Sequence, residues 1–386
     1  MSRAFAVTGA RIFDGQDWHE DRALLVDQGL VTGLLPPADL PEGLERKAAK
    51  GALLVPGFID LQVNGGGGEL FNDRPELDAI EAICAAHARF GTTALLVTLI
   101  TDTPDVRTAA IAAAREARLA AVPGFLGLHL EGPHLSIARK GVHDPALIRP
   151  MQADDLDAHL ACASFFDAVL ATVAPENVTL EQVAALTRAG ITVSLGHTDA
   201  DYETIATYAL AGARMVTHLF NAMSPLGSRE PGTVGAALDL GTLHAGIIAD
   251  GYHVDPVTMS IALRAKTGPG RIFIVTDAMS TIGSDLQGFT LNGRTVFRKD
   301  GRLTTADGTL AGADIDMLSS VRFAHRTLDL PLEEALRMAS AYPADAIGVS
   351  ARKGRLMPGL DADFLLLSED LDMIATYIGG EPVFST

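Results

Sequence analysis

The sequence has little cysteine, no excess of basic charge and no long apolar run, and each shortage excludes a class of protein. Only two of its 386 residues are cysteine, Cys84 and Cys162, and they form neither a CxxC pair nor a ligand-like spacing. A disulfide framework is therefore excluded, and the composition suits a reducing compartment. Lys and Arg number 30 against 48 Asp and Glu, a formal net charge of -18. Nucleic-acid binding is disfavoured by that balance, and an anionic ligand would need local basic groups. No apolar stretch approaches the ~20 residues of a membrane helix. The first residues, Met1-Ser-Arg-Ala-Phe-Ala-Val, lack an apolar core after a basic start, so the expected location is the cytoplasm. Internal repeats and low-complexity segments are also missing.

What is present is a regular apolar pattern. Hydrophobic residues make up 48% and charged residues 20%, enough for a large packed core. Eight strand-like runs begin at Phe58, Ala94, Phe125, Ala168, Ile191, Met215, His244 and Ile272. Ala-rich helical stretches separate most of them. Near-continuous apolar strands alternating with helices predict a parallel sheet covered on both faces, and eight units match a (β/α)₈ TIM barrel. Spacing alone does not prove closure, so an open doubly wound sheet stands as the alternative. Residues 1–56 and 357–386 read as short strands and turns. They predict a small β-sandwich built from both termini around a barrel spanning 57–356. A hairpin is expected from Phe289 to Leu303, then a loop, then helical regions around 314–327 and 332–347.

Catalytic groups of a barrel sit where its strands end. Run three ends in Glu131, run five in His197, run six carries His218 and run eight ends in Asp277. A lone strand-end His is usually structural, and a lone Asp is often a helix cap. Together, two imidazoles and a carboxylate make a known three-ligand set for catalytic zinc with one open position. The fourth group, Asp277, is the unligated carboxylate that metal-assisted hydrolysis needs as a proton carrier. Iron, cobalt or manganese would also accept those donors. His129 shares a strand face with Glu131 and reads equally as a packing or an orienting residue. His143 lies in the loop after run three. His87, His244 and His325 fall inside apolar patterns and read as structural. Arg229, in the loop 224–232, is a candidate fork for phosphate, or a solvated charge beside Glu230. The four glycines Gly65–Gly68 read as a turn leaving run one rather than an anion cradle.

Several motifs together resemble the N-acetylglucosamine-6-phosphate deacetylases of the amidohydrolase superfamily. They are Val55-Pro-Gly-Phe-Ile-Asp-Leu-Gln-Val-Asn-Gly, His129-Leu-Glu-Gly-Pro-His, Lys140-Gly-Val-His, Thr217-His-Leu-Phe-Asn-Ala-Met, Asp250-Gly-Tyr-His and Thr276-Asp-Ala-Met. The resemblance runs almost end to end. It implies one divalent metal per chain, held by Glu131, His197 and His218, with Asp277 as acid and base. It implies that His143 and His253 contact the substrate, an amino-sugar phosphate. Asn221, Ala222 and Arg229 would meet its phosphate, the loop Leu310-Ala311-Gly312 would line the pocket, and Val142 would touch it through its backbone. A homodimer is implied, with no nucleic-acid or membrane partner. Where many superfamily members carry His-x-His on strand one, this chain has Gln62 and Asn64, poor zinc ligands, so one tight metal is expected rather than two. The rival readings are the galactosamine epimer as substrate, a cyclic-amide hydrolase, which the missing His-x-His disfavours, and a non-catalytic scaffold. The last is disfavoured because idle buried ionisable groups cost stability.

Overall fold

A computed structural model describes residues 4–386. Eight parallel strands form its centre: β1 Phe58–Val63, β2 Thr92–Ile100, β3 Phe125–Glu131, β4 Ala168–Val173, β5 Thr192–Leu195, β6 Met215–Val216, β7 His244–Ile248 and β8 Ile272–Val275. Each pairs with the next in sequence order. All nine residues of β2 are buried, which is why its sequence shows no polar alternation. Helices on the outside follow the strands, from Leu77–Ala88 to Met317–Arg326. Several start at side-chain caps, such as Thr103, which accepts from Val106 N–H, and Thr179, which forms a capping box with Gln182.

The barrel closes. Asp277 N–H donates to the Gln62 carbonyl at 3.0 Å and Asn64 N–H to the Ala278 carbonyl at 2.9 Å. Deeper in the same seam Asp60 stands in for the ladder. Its carboxyl accepts from the Thr276 hydroxyl at 2.5 Å and from the N–H groups of Thr276 and Gln62, both at 3.2 Å.

The terminal segments build two sheets. One is wholly N-terminal, with Phe5–Thr8 between Ala23–Asp27 and Glu45–Ala48. The other joins both ends of the chain, because Phe364–Leu367 runs antiparallel to Leu53–Pro56. Phe5, Ile12, Leu24, Leu54 and Phe364 pack into the apolar core shared by the two sheets.

Two expectations are corrected here. The hairpin and loop of 289–312 are instead a four-stranded antiparallel sheet, Gly288–Leu291, Arg294–Lys299, Arg302–Thr305 and Leu310–Ala313. Asn292-Gly293 and Asp300-Gly301 both take left-handed backbone angles, so there are two tight hairpin turns rather than one. The segment Leu310–Gly312 is strand, not loop, with Thr304 paired to Leu310. The helical stretch 332–347 is also divided. It breaks at Ser340 into Leu332–Ala339 and Ala341–Ile347, where Pro343 has no N–H to continue the first helix.

Candidate metal centre

Glu131 ends β3, and the chain leaves β5 and β6 through His197 and His218. Glu131 Oε1 lies 3.2 Å from Nε2 of each histidine, and the two nitrogens are 3.1 Å apart. Ligands about 2.0–2.1 Å from a tetrahedral zinc sit roughly 3.3–3.4 Å from one another, so the triangle has the size of a cation site. The tautomer of His197 agrees. His197 Nδ1 lies 2.9 Å from the Arg139 carbonyl, which can only accept, so in the neutral ring the lone pair is on Nε2. His218 Nδ1 is buried without a partner. Glu131 Oε1 and the Nε2 lone pair of His197 face each other at 3.2 Å in a buried space, and two acceptors so placed fit a bound cation better than a hydrogen bond between them. Glu131, His143 and His197 also offer ligand atoms within 4.8 Å of one another. That set is looser than the triangle of Glu131, His197 and His218.

Asp277 leaves β8 beside this triangle. Its Oδ1 accepts from Asn64 Nδ2 at 2.7 Å and Gln62 Nε2 at 3.2 Å. Gln62 Nε2 also lies 3.3 and 3.2 Å from the two Glu131 oxygens. The two amides therefore act as donors to the carboxylates at the position where other members would place imidazoles. Burial, reinforced by the charge of Glu131, pushes the Asp277 carboxyl up to about 6. Burial alone would raise Glu131 too, but its contacts with His197 and His218 hold it well below the usual range. His197, His218 and Asp277 all have positive φ, at 48°, 28° and 53°, the backbone kink that turns each side chain off its strand and over the barrel mouth.

A cavity of about 340 Å³ opens over these groups. Glu131, His197, His218 and Asp277 line it, and so do Val142, His143, Asn221, Ala222, His253, Leu310 and Gly312. His143 Nδ1 is 2.7 Å from the Thr101 hydroxyl. Its ring packs edge-on against His197 with centroids 4.5 Å apart. Burial pushes it down to about 3, so it stays a neutral imidazole. His253 Nδ1 lies 2.6 Å from Asp250 Oδ2, which aims its other nitrogen elsewhere. Two expected residues do not join the lining. Ala311 is fully buried in the apolar cluster with Leu291 and Val296, because neighbouring residues of a strand face opposite ways. Arg229 is exposed on its loop and outside the cavity. Ile100, Ile248, Met279 and Leu291 form apolar walls that the sequence reading missed. Ile100 ends β2, so its strand-end position was the available signal.

The remaining histidines have local duties. His129 lies under the site between the Thr98 hydroxyl at 3.2 Å and the Thr172 hydroxyl at 2.7 Å. His87 Nε2 is 3.0 Å from the Gly65 carbonyl. The N–H groups of Gly65, Gly67 and Gly68 all donate to carbonyls of residues 278–282, so three of the four glycines hold the turn rather than an anion. A Cβ on Gly65 would stand 2.3 Å from the Glu69 carbonyl oxygen, so close packing explains the glycine.

An eight-stranded barrel with a mononuclear-sized Glu-His-His site and a buried aspartate defines a metal-dependent hydrolase scaffold, and the chain belongs to the amidohydrolase family, whose model matches residues 53–383. Residues 4–54 match the NagA composite domain. Among curated relatives, an N-acetylgalactosamine-6-phosphate deacetylase of Shewanella sp. (strain ANA-3) is 41% identical over 97% of this chain and 95% of its own. An N-acetylglucosamine-6-phosphate deacetylase of Haemophilus influenzae is 36% identical over 98% of both chains. The solved N-acetylglucosamine-6-phosphate deacetylase of Pasteurella multocida superposes with a TM-score of 0.95 at 36% identity, over 99% of this chain and 100% of that one.

Proposed function

We propose that the chain hydrolyses the acetamide of N-acetyl-D-glucosamine 6-phosphate, giving acetate and D-glucosamine 6-phosphate. The observation that carries the reading is the 3.1–3.2 Å triangle of Glu131, His197 and His218 in one cavity with Asp277. A divalent cation there, zinc best and iron, cobalt or manganese compatible, would acidify a water and polarise the amide carbonyl. Gln62 and Asn64 turn their amide N–H groups to Asp277 and Glu131, and neutral amides are poor zinc ligands beside imidazoles, which supports one tight metal per chain.

The chain's own groups supply the rest. Asp277 takes the proton of the attacking water through the oxygen that Asn64 leaves open. It then delivers that proton to the leaving nitrogen, which could not depart as an amide anion. His143 Nδ1 faces the Thr101 hydroxyl at 2.7 Å, and in the tautomer that accepts from that hydroxyl Nε2 carries the proton that would stabilise the oxygen of the tetrahedral intermediate. His253, held by Asp250, receives a sugar hydroxyl, and Val142 meets the substrate through its backbone. Asn221 and Ala222 face the phosphate. Arg229, outside the cavity of its own chain, serves the phosphate of a neighbouring copy in a cytoplasmic homodimer.

The epimer N-acetyl-D-galactosamine 6-phosphate is the second reading, favoured by the 41% identity to the Shewanella deacetylase. Steady-state acetate release on both 6-phosphates, and on the unphosphorylated sugars, decides between them. Release that persists at full rate after chelation would remove the metal from the reaction. Higher kcat/KM on the galacto sugar would reverse the order of the two substrates.

A further inference from the structure

The four-stranded sheet of residues 288–313 supplies no ligand and no proton carrier, yet it touches three of the segments that bring reactive groups to the cavity. At its last strand, Ala313 N–H donates to the carbonyl of Asp277 at 2.9 Å. At its second turn, the guanidinium of Arg302 stands 4.9 Å from the ring centroid of Tyr252, the neighbour of His253. At its first turn, Arg294 Nη2 donates to the Val142 carbonyl at 2.6 Å, and Asn292 Nδ2 lies 3.4 Å from the same oxygen. The base of the sheet is fixed separately, by Arg298 on Asp314 at 2.7 Å. The sheet therefore contacts the residues beside Asp277, His253 and His143 from one element.

The Val142 contact matters most, because between the Arg139 carbonyl, held by His197, and His143 the other backbone bonds are local. This segment follows two glycines of positive φ, Gly132 and Gly141, and Lys140 is half-buried and Gly141 exposed. His143 N–H bonds only locally, to the Lys140 carbonyl at 3.1 Å. Below, Thr101 orients the His143 ring. Above, Arg294 fixes the carbonyl one residue before it. Both Val142 and Leu291 line the cavity, so the bond joins its two walls. Side-chain placement at an oxyanion-stabilising group is worth large rate factors, since an error near 1 Å can cost roughly a hundredfold.

We infer that Arg294 is a positioning residue, whose bond to the Val142 carbonyl holds His143 where the carbonyl oxygen of the substrate develops charge. The inference rests on the deacetylase reading for its kinetic arm only. In metal-loaded Arg294→Ala, kcat falls about ten- to a hundredfold with KM changed far less, while bound metal stays at the parent level. In the same protein without substrate, backbone amides of residues 140–147 exchange with deuterium faster than in the parent, and those of β3 do not. Arg294→Lys, whose ammonium still donates, restores part of both. Unchanged exchange at 140–147 would overturn the inference, as would a loss confined to KM, which would make Arg294 a direct substrate contact. If the parent itself released no acetate, the reading of the reaction would fail, and the exchange comparison would still test the brace.

Discussion

Two buried carboxyls on the same seam of the barrel differ in a way that explains where the chemistry is. Asp60 lies deep between β1 and β8, and Asp277 lies at the rim just above it. Burial pushes both up, Asp60 to about 7 and Asp277 to about 6. A perturbed carboxyl is therefore not by itself a mark of function. What separates them is the use of their oxygens. Both oxygens of Asp60 are occupied, one by two backbone N–H groups and one by the Thr276 hydroxyl. Asp277 has one oxygen occupied by Asn64 and Gln62, and the residue faces the cavity. The first carboxyl closes a barrel; the second is available to move protons.

The sharpest way to break the comparison is to remove the charge from each. Asp277→Asn is expected to keep fold and metal and to lose about two to four decades of turnover, measured as acetate release. Asp60→Asn is expected to retain most turnover. If the two variants behaved alike, the division of labour would be wrong.

A smaller effect tests why Asp277 ionises where it does. The Asn64 bond favours the charged carboxylate, so Asn64→Ala moves the acid limb of kcat/KM to higher pH, by about one unit. Turnover needs the ionised form, so it falls as pH drops through that limb. In the metal-loaded parent the limb lies at or below about 6, since a nearby cation favours the anion further. A shift in the opposite direction would remove Asn64 from this role.

The smallest effect concerns stability. The folded-state value of Asp60, about 7, stands above its ordinary 3.8. In that window the folded chain holds a proton that the unfolded chain has released. The contribution is full below about 4 and is lost as pH rises towards 7, at most a few kcal/mol. Chemical denaturation of Asp60→Asn against the parent across that range should show the difference in slope. Parallel curves would mean that Asp60 is ionised throughout.

The sequence revealed the parts of this molecule that depend on local pattern. Strands buried on both faces must be apolar throughout, so β1 to β8 were visible as runs, and the residues ending them were visible as a candidate ligand set. Closure was not visible, because it depends on Asp60 meeting Thr276 across 216 positions. The sheet of 288–313 was read as a hairpin because its strands are short and mostly half-exposed, which weakens any alternation. Gln62 and Asn64 were read for what they fail to ligate. Their work as donors to Asp277 needed the spatial arrangement. The exposure of Arg229 and the inward turn of Ala311 likewise follow from packing that no spacing records.

His197, His218 and Asp277 all leave their strands with left-handed backbone angles, a conformation that disfavours side chains by roughly 1–2 kcal/mol per residue. Backbone bonds of the barrel tie these bends in, such as Leu219 N–H to the Gly246 carbonyl at 2.7 Å and Ala313 N–H to the Asp277 carbonyl at 2.9 Å. With the bends tied into the barrel's own backbone, we predict that the socket outlasts its ion, unlike domains that fold only around their zinc. Stripping the metal should leave a native, silent protein that regains activity on remetallation without refolding.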